Sequence, residues 1–186
     1  VEDLAGEGVS GIDFNLTPLG SIEGSVFDRL LGNPIASVRI SLRRTSGSQA
    51  SSAYTDSEGR YSMNGIQPGS YYVEFEGSSN YLGQLYDDVD CPGGHSDGCE
   101  LSDGTIVAVE LDTVAAGIDF ALDRAGTISG SVVDQSNGGV IKSAKVRIYS
   151  GGFTSLDYEY TDQIGEFLFS GLAPGDYFLT ADDYDA

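Results

Sequence analysis

Residues 117–134 read GIDFALDRAGTISGSVVD, and residues 11–28 read GIDFNLTPLGSIEGSVFD. The two stretches lie 106 residues apart and carry the same features in the same order: an Ile-Asp-Phe alternation, a short break, and a glycine-spaced alternation. In the later copy, GIDFAL reads as the strand that closes one module, and GTISGSVVD as the strand that opens the next. TDSEGRYSMNGIQPGSYYV at 55–73 matches TDQIGEFLFSGLAPGDYFL at 161–179, again 106 residues apart. VRI at 38–40 matches VRI at 146–148 at a spacing of 108, which implies two extra residues in the second copy just before that point. Four matched blocks in one order mark two copies of one module.

Each block has the period of a strand. Ile22, Gly24 and Val26 alternate with Ser21, Glu23 and Ser25, and Val38, Ile40 and Leu42 alternate with polar residues, as on a half-buried pleat. Asp56-Ser57-Glu58-Gly59 and Pro68-Gly69 are turn signals, and Gly165 and Pro174-Gly175 keep both in the second copy. No segment over ten residues carries a helical stripe. Short strands punctuated this way predict an all-β chain of two tandem antiparallel sandwiches.

GSIEGSVFD, NPIASVRISL and TDSEGRYSMNGIQPGSYYV together resemble the carboxypeptidase regulatory-like domain, similar also to the B-type repeats of collagen adhesins. The resemblance covers both copies. It implies a transthyretin-like, Ig-like sandwich of seven strands and, on fold alone, no particular activity. Relatives that lock themselves with a Lys–Asn isopeptide need a lysine in the first strand. The first copy has none, and Lys142 and Lys145 sit near the middle of the second.

The 186 residues carry 29 acidic against 9 basic side chains, a formal net charge of −20. Without a basic stripe, nucleic acid and anionic membrane surfaces are excluded as partners. No apolar run reaches the roughly 18 residues of a membrane span, and no charged, then hydrophobic leader opens the chain, so any signal peptide is expected to be already removed. The composition and turns suit a secreted or cell-surface protein. Cys91 and Cys99 in CPGGHSDGC read as one short disulfide. With His95 they would offer three zinc ligands, one short of a closed site.

His95 is the only histidine, so a Ser-His-Asp triad would have to grow from that loop, and the enzymes of this fold rely on several histidines. The expectation is a non-enzyme that requires no cofactor. Asp87, Asp88, Asp90, Asp97 and Asp103 crowd one region that could hold calcium, although no EF-hand spacing is present. Tyr71, Tyr72, Tyr81 and Tyr86 could stack surface glycans, although tyrosine at alternate strand positions is also ordinary core material. Asn15-Leu16-Thr17 fits an N-glycosylation acceptor.

The repeat divides the chain into an unpaired N-terminal strand at 1–19, a first sandwich at 20–122 and a second at 123–186. The second has no counterpart of YLGQLYDDVDC or of the closing strand, and the missing type of strand stands at the front of the chain. Either the chain is a piece of a longer array, in which the repeats serve as spacers or as carbohydrate- or calcium-binding modules, or its N-terminal strand fills the second sandwich of another copy, head to tail. Ile12, Phe14 and Leu16 would be the inserted side chains, with Asp13 and Asn15 facing outward. Burying three such side chains contributes about 5–9 kcal/mol, against an association cost of about 4–15 kcal/mol.

Overall fold

A computed structural model describes residues 13–91 and 99–182. Among the described residues ten strands precede residue 123: β1 (Gly20–Asp28), β2 (Arg39–Arg44), β3 (Gln49–Tyr54), β4 (Arg60–Ile66), β5 (Gly69–Phe75), β6 (Gln84–Leu85), β7 (Val89–Asp90), β8 (Val107–Val109), β9 (Val114–Ala115) and β10 (Phe120–Leu122). Five follow: β11 (Gly126–Ser131), β12 (Lys145–Ser150), β13 (Ser155–Tyr160), β14 (Glu166–Leu172) and β15 (Tyr177–Asp182). Among the described residues no sheet mixes strands from the two groups.

In the first group β1 is flanked by β4 on one edge and by β9 and β10 on the other. The second sheet runs β3-β2-β5-β6-β7, with β8 also on β5. The inward residues of both sheets meet in one core, which includes Ile22, Val26, Ile40, Leu42, Val73 and Phe120. The alternation expected for β1 and β2 therefore does set which residues turn inward. The pairing departs from a purely antiparallel sandwich at one place, because β9 and β10 run parallel to β1.

The second group repeats the plan with fewer strands: β11 pairs β14, and β12 lies between β13 and β15. Its registers correct the two-residue insertion expected from the VRI match. Arg39 pairs Tyr54 as Lys145 pairs Tyr160, and Ile40 pairs Phe75 as Val146 pairs Ala181, so the spacing is 106 throughout. Ser37 and Ser143 both take positive φ, 60° and 57°. Identical letters mislead here because the core needs an apolar residue at the position, and Ile40 and Val146 serve equally.

Local chemistry explains why the two copies fold alike. Asp56 Oδ1 accepts from the Glu58 and Arg60 amides (2.8 and 2.9 Å), and Asp162 Oδ1 does the same for Ile164 and Glu166 (both 2.9 Å). These Asx turns place Gly59 and Gly165 at φ of +74° and +76°, where a side chain would be strained. Buried Thr55 accepts from the Val38 amide and donates to the Ile35 carbonyl, and Thr161 does so for Ala144 and Ile141. Each threonine thus satisfies two backbone groups that its sheet leaves free.

Asp28 closes β1 and holds the link to the second group. Its Oδ1 accepts from the Leu30 and Leu31 amides, and its Oδ2 from Arg124 Nε at 2.6 Å and the Tyr81 hydroxyl at 3.2 Å. The Arg124 hydrogen bond, aided by the Leu31 amide, keeps the Asp28 carboxyl below the usual aspartate range.

Candidate functional site

The first sandwich shows how a GIDF strand is held. Val26 pairs Phe120, Phe27 pairs Ala121 and Asp28 pairs Leu122, all in parallel. Ile118, Phe120 and Leu122 are buried. The polar residue between them does not face solvent alone: Asp119 Oδ1 accepts from the Ser25 amide at 2.7 Å and from the Ser25 hydroxyl at 2.8 Å. Tyr61 donates its hydroxyl to the Ile118 carbonyl at 2.6 Å. Burial, and after it the charge on Asp119, raises the pKa of that phenol, which keeps it a donor. Backbone approach is so close that a Cβ on Gly24 would lie 1.9 Å from the Ile118 oxygen.

In the second sandwich the same edge is open. Among the described residues β11 pairs only β14, and nothing lies along its other side as β9 and β10 lie along β1. Exposure follows from that. Val73 is 0% exposed, whereas Leu179 in the same place is 39% exposed. Ile22 and Val26 are buried, whereas Ile128 and Val132 are half-buried. Only Val146, Ile148, Phe169 and Leu172 form a buried cluster. Gly130 stands where Gly24 stands, but the nearest atoms to a Cβ there would be side-chain ones, the ring of Phe167 at 2.8 Å. Phe167 replaces Tyr61 and has no hydroxyl to offer.

Residues 13–19 are exposed and belong to no strand. Phe14 is 82% and Leu16 89% exposed, and Ile12 lies outside the described residues. Asn15, in its Asn-Leu-Thr sequon, is exposed as well. Asp119, the counterpart of Asp13, is exposed too, and its carboxylate nonetheless takes part in the strand's attachment through Ser25.

Cys91 and Cys99 form the disulfide, with Cα atoms 5.0 Å apart. The acidic residues near it have separate occupations. Asp88 pairs with Arg29 at 3.0 Å, Asp90 accepts from Gln84 Nε2 at 3.0 Å, Asp103 ends a short 3-10 turn, and Asp87 is exposed. Asp97 and His95 lie outside the described residues, and among the described ones no three His, Cys, Asp or Glu are grouped to hold a metal. The four tyrosines are also spread out. Tyr71 is buried with its hydroxyl on the Gln67 carbonyl, Tyr81 reaches Asp28, Tyr86 packs edge-on against Phe120, and Tyr72 is half-buried. Lys145 places its ammonium 3.7 Å above the Tyr158 ring.

Comparison with known proteins adds the following. The family model described as the carboxypeptidase regulatory-like domain matches residues 21–94 and 127–184. Serine-aspartate repeat-containing protein F of Staphylococcus epidermidis is 26% identical over 149 residues, 77% of this chain and 9% of that protein. Colossin-A of Dictyostelium discoideum is 32% identical over 95 residues, 47% of this chain and 1% of that protein. The chain thus spans under a tenth of the length of either. Among solved structures, a streptococcal ancillary pilin aligns with a TM-score of 0.44 at 15% identity, covering 88% of this chain and 53% of that one. A likeness that slight carries no argument about this chain.

Proposed function

Because the chain belongs to the carboxypeptidase regulatory-like domain family, we propose that it is a non-catalytic structural protein of the cell surface or extracellular space, and that its copies join head to tail by strand addition. One observation carries this: among the described residues the second sandwich leaves open the edge that the first closes with GIDFAL, while Asp13 to Leu16 of the matching GIDFNL are exposed and in no strand. The open edge and the exposed Leu179 and Val133 would be an aggregation hazard if left bare. A donor strand covers them, and a head-to-tail relation between copies does not close on itself, so it builds a filament.

The test is removal of residues 1–16. Electron microscopy and light scattering should show filaments for the intact chain and monomers for the shortened one, with the first sandwich still folded by near-UV circular dichroism. Filaments that persist after the deletion overturn the proposal.

The short span of the chain within its relatives favours a second reading, a spacer module in a longer secreted protein. The intact mass of the native polypeptide separates the two: a mass well above 19.5 kDa supports the spacer.

A further inference from the structure

Asp119 is the polar residue of GIDFAL, and its partner Ser25 is repeated as Ser131, one residue after Gly130. Asp13 is the polar residue of GIDFNL. We infer that the donor strand is read by its carboxylate: Asp13 of a second copy clasps the Ser131 amide and hydroxyl, with Phe14 opposite Val132, Asn15 opposite Val133 and Leu16 opposite Asp134. This rests on the strand-addition proposal above and adds to it a register and a residue that selects the donor.

Three observations support the docked geometry. At Gly130 the space a Cβ would take is approached most closely by the Phe167 ring edge, where at Gly24 it is taken by the Ile118 carbonyl. A Cβ on Gly126 would meet only its sheet partner Leu172, at 3.3 Å from the carbonyl oxygen, where one on its counterpart Gly20 would lie 2.6 Å from the Glu110 oxygen. The connection also matches: residues 123–125 lead from β10 into β11, and residues 17–19 lead from Leu16 into β1. A donated strand would therefore pass into its own first sandwich with the same number of residues that joins the two sandwiches of one chain. The joints differ in their ion pairs, because Pro18 stands where Arg124 binds Asp28 and brings no cation to Asp134, and Thr17 stands where Asp123 pairs with Arg29.

Paired cysteines in the full chain test the register. Asn15→Cys with Val133→Cys, mildly oxidised, should give a ladder of covalent multimers on a non-reducing gel. Asn15→Cys with Gln135→Cys, two residues out of register, should give none. Asp13→Ala should raise the concentration needed for assembly by about ten- to a hundredfold, the loss of charge-assisted hydrogen bonds, and Asp13→Asn, which keeps an acceptor oxygen, by less. Multimers that need residues 1–16 but cross-link only out of register, or that ignore Asp13→Ala, overturn this inference and leave strand addition standing. A cross-link confined to single chains excludes a second copy as the donor. An unmodified chain that never assembles overturns the proposed function itself.

Discussion

Phe120 and Phe14 hold the same place in the two copies of GIDF, and alanine at each should have opposite consequences. Phe120 is fully buried, sits opposite Val26 and meets the edge of Tyr86 at 6.3 Å between ring centroids. Truncating such a side chain costs about 3–5 kcal/mol, the transfer of the ring plus the cavity it leaves. The first sandwich of Phe120→Ala should lose that much in urea titration, at any protein concentration. Phe14 is 82% exposed in the single chain, so Phe14→Ala should change the stability of either sandwich in the monomer by less than about 0.5 kcal/mol. If Phe14 is buried in a neighbour as Phe120 is buried at home, the same 3–5 kcal/mol leaves the joint instead. The critical concentration for assembly then rises by about 10²- to 10⁴-fold. Light scattering against concentration reads the second quantity, and intrinsic tyrosine fluorescence in urea reads the first. A Phe14→Ala chain that assembles at the unchanged concentration, or whose monomer is destabilised like Phe120→Ala, refutes the equivalence.

Gly24→Ala puts a Cβ 1.9 Å from a backbone oxygen and should unseat the closing strand, abolishing the cooperative melt of the first sandwich. Gly130→Ala meets the Phe167 ring most closely, and that ring can swing, so the monomer should melt within about 1 kcal/mol of the parent and yet fail to assemble. Thr161→Val leaves the Ala144 amide and Ile141 carbonyl unpaired and should destabilise the second sandwich by about 1–3 kcal/mol, with Thr55→Val doing the same to the first. The folded-state pKa of Asp28 lies below its unfolded value near 3.9, so its contribution is complete above about pH 4 and is lost as pH falls through the folded pKa. Below about pH 4 the melting temperature of the first sandwich should therefore fall more steeply for the parent chain than for Asp28→Asn, and parallel curves would refute this.

The repeat, its turns and the core face of each long strand are legible in the sequence, because Asp56, Gly59, Asp162 and Gly165 carry their backbone chemistry locally. Pairing across long separations is less so. Asp119 looks like an outward residue when only its own strand is read, since Ser25, 94 residues away, is what gives it a role. Tyr61 follows the Asp56–Gly59 turn with nothing local to mark its role, and only its hydroxyl bond to the Ile118 carbonyl shows it to be part of the strand's attachment. The short strands β6 to β10 have too few residues for a period to register, and Gly117 at φ +77° breaks the alternation between β9 and β10. The VRI match shows the reverse failure, in which identity of letters outweighs the pattern of burial that decides register.

Strand addition is tested most directly by amide hydrogen exchange on the chain lacking residues 1–16, with and without a synthetic peptide GIDFNLTP. The account predicts that the peptide slows exchange along β11, at Ile128 to Ser131, and leaves the amides of β1 unchanged because their edge is already filled by β9 and β10. Exchange along β11 that is indifferent to the peptide at saturating concentration would contradict it.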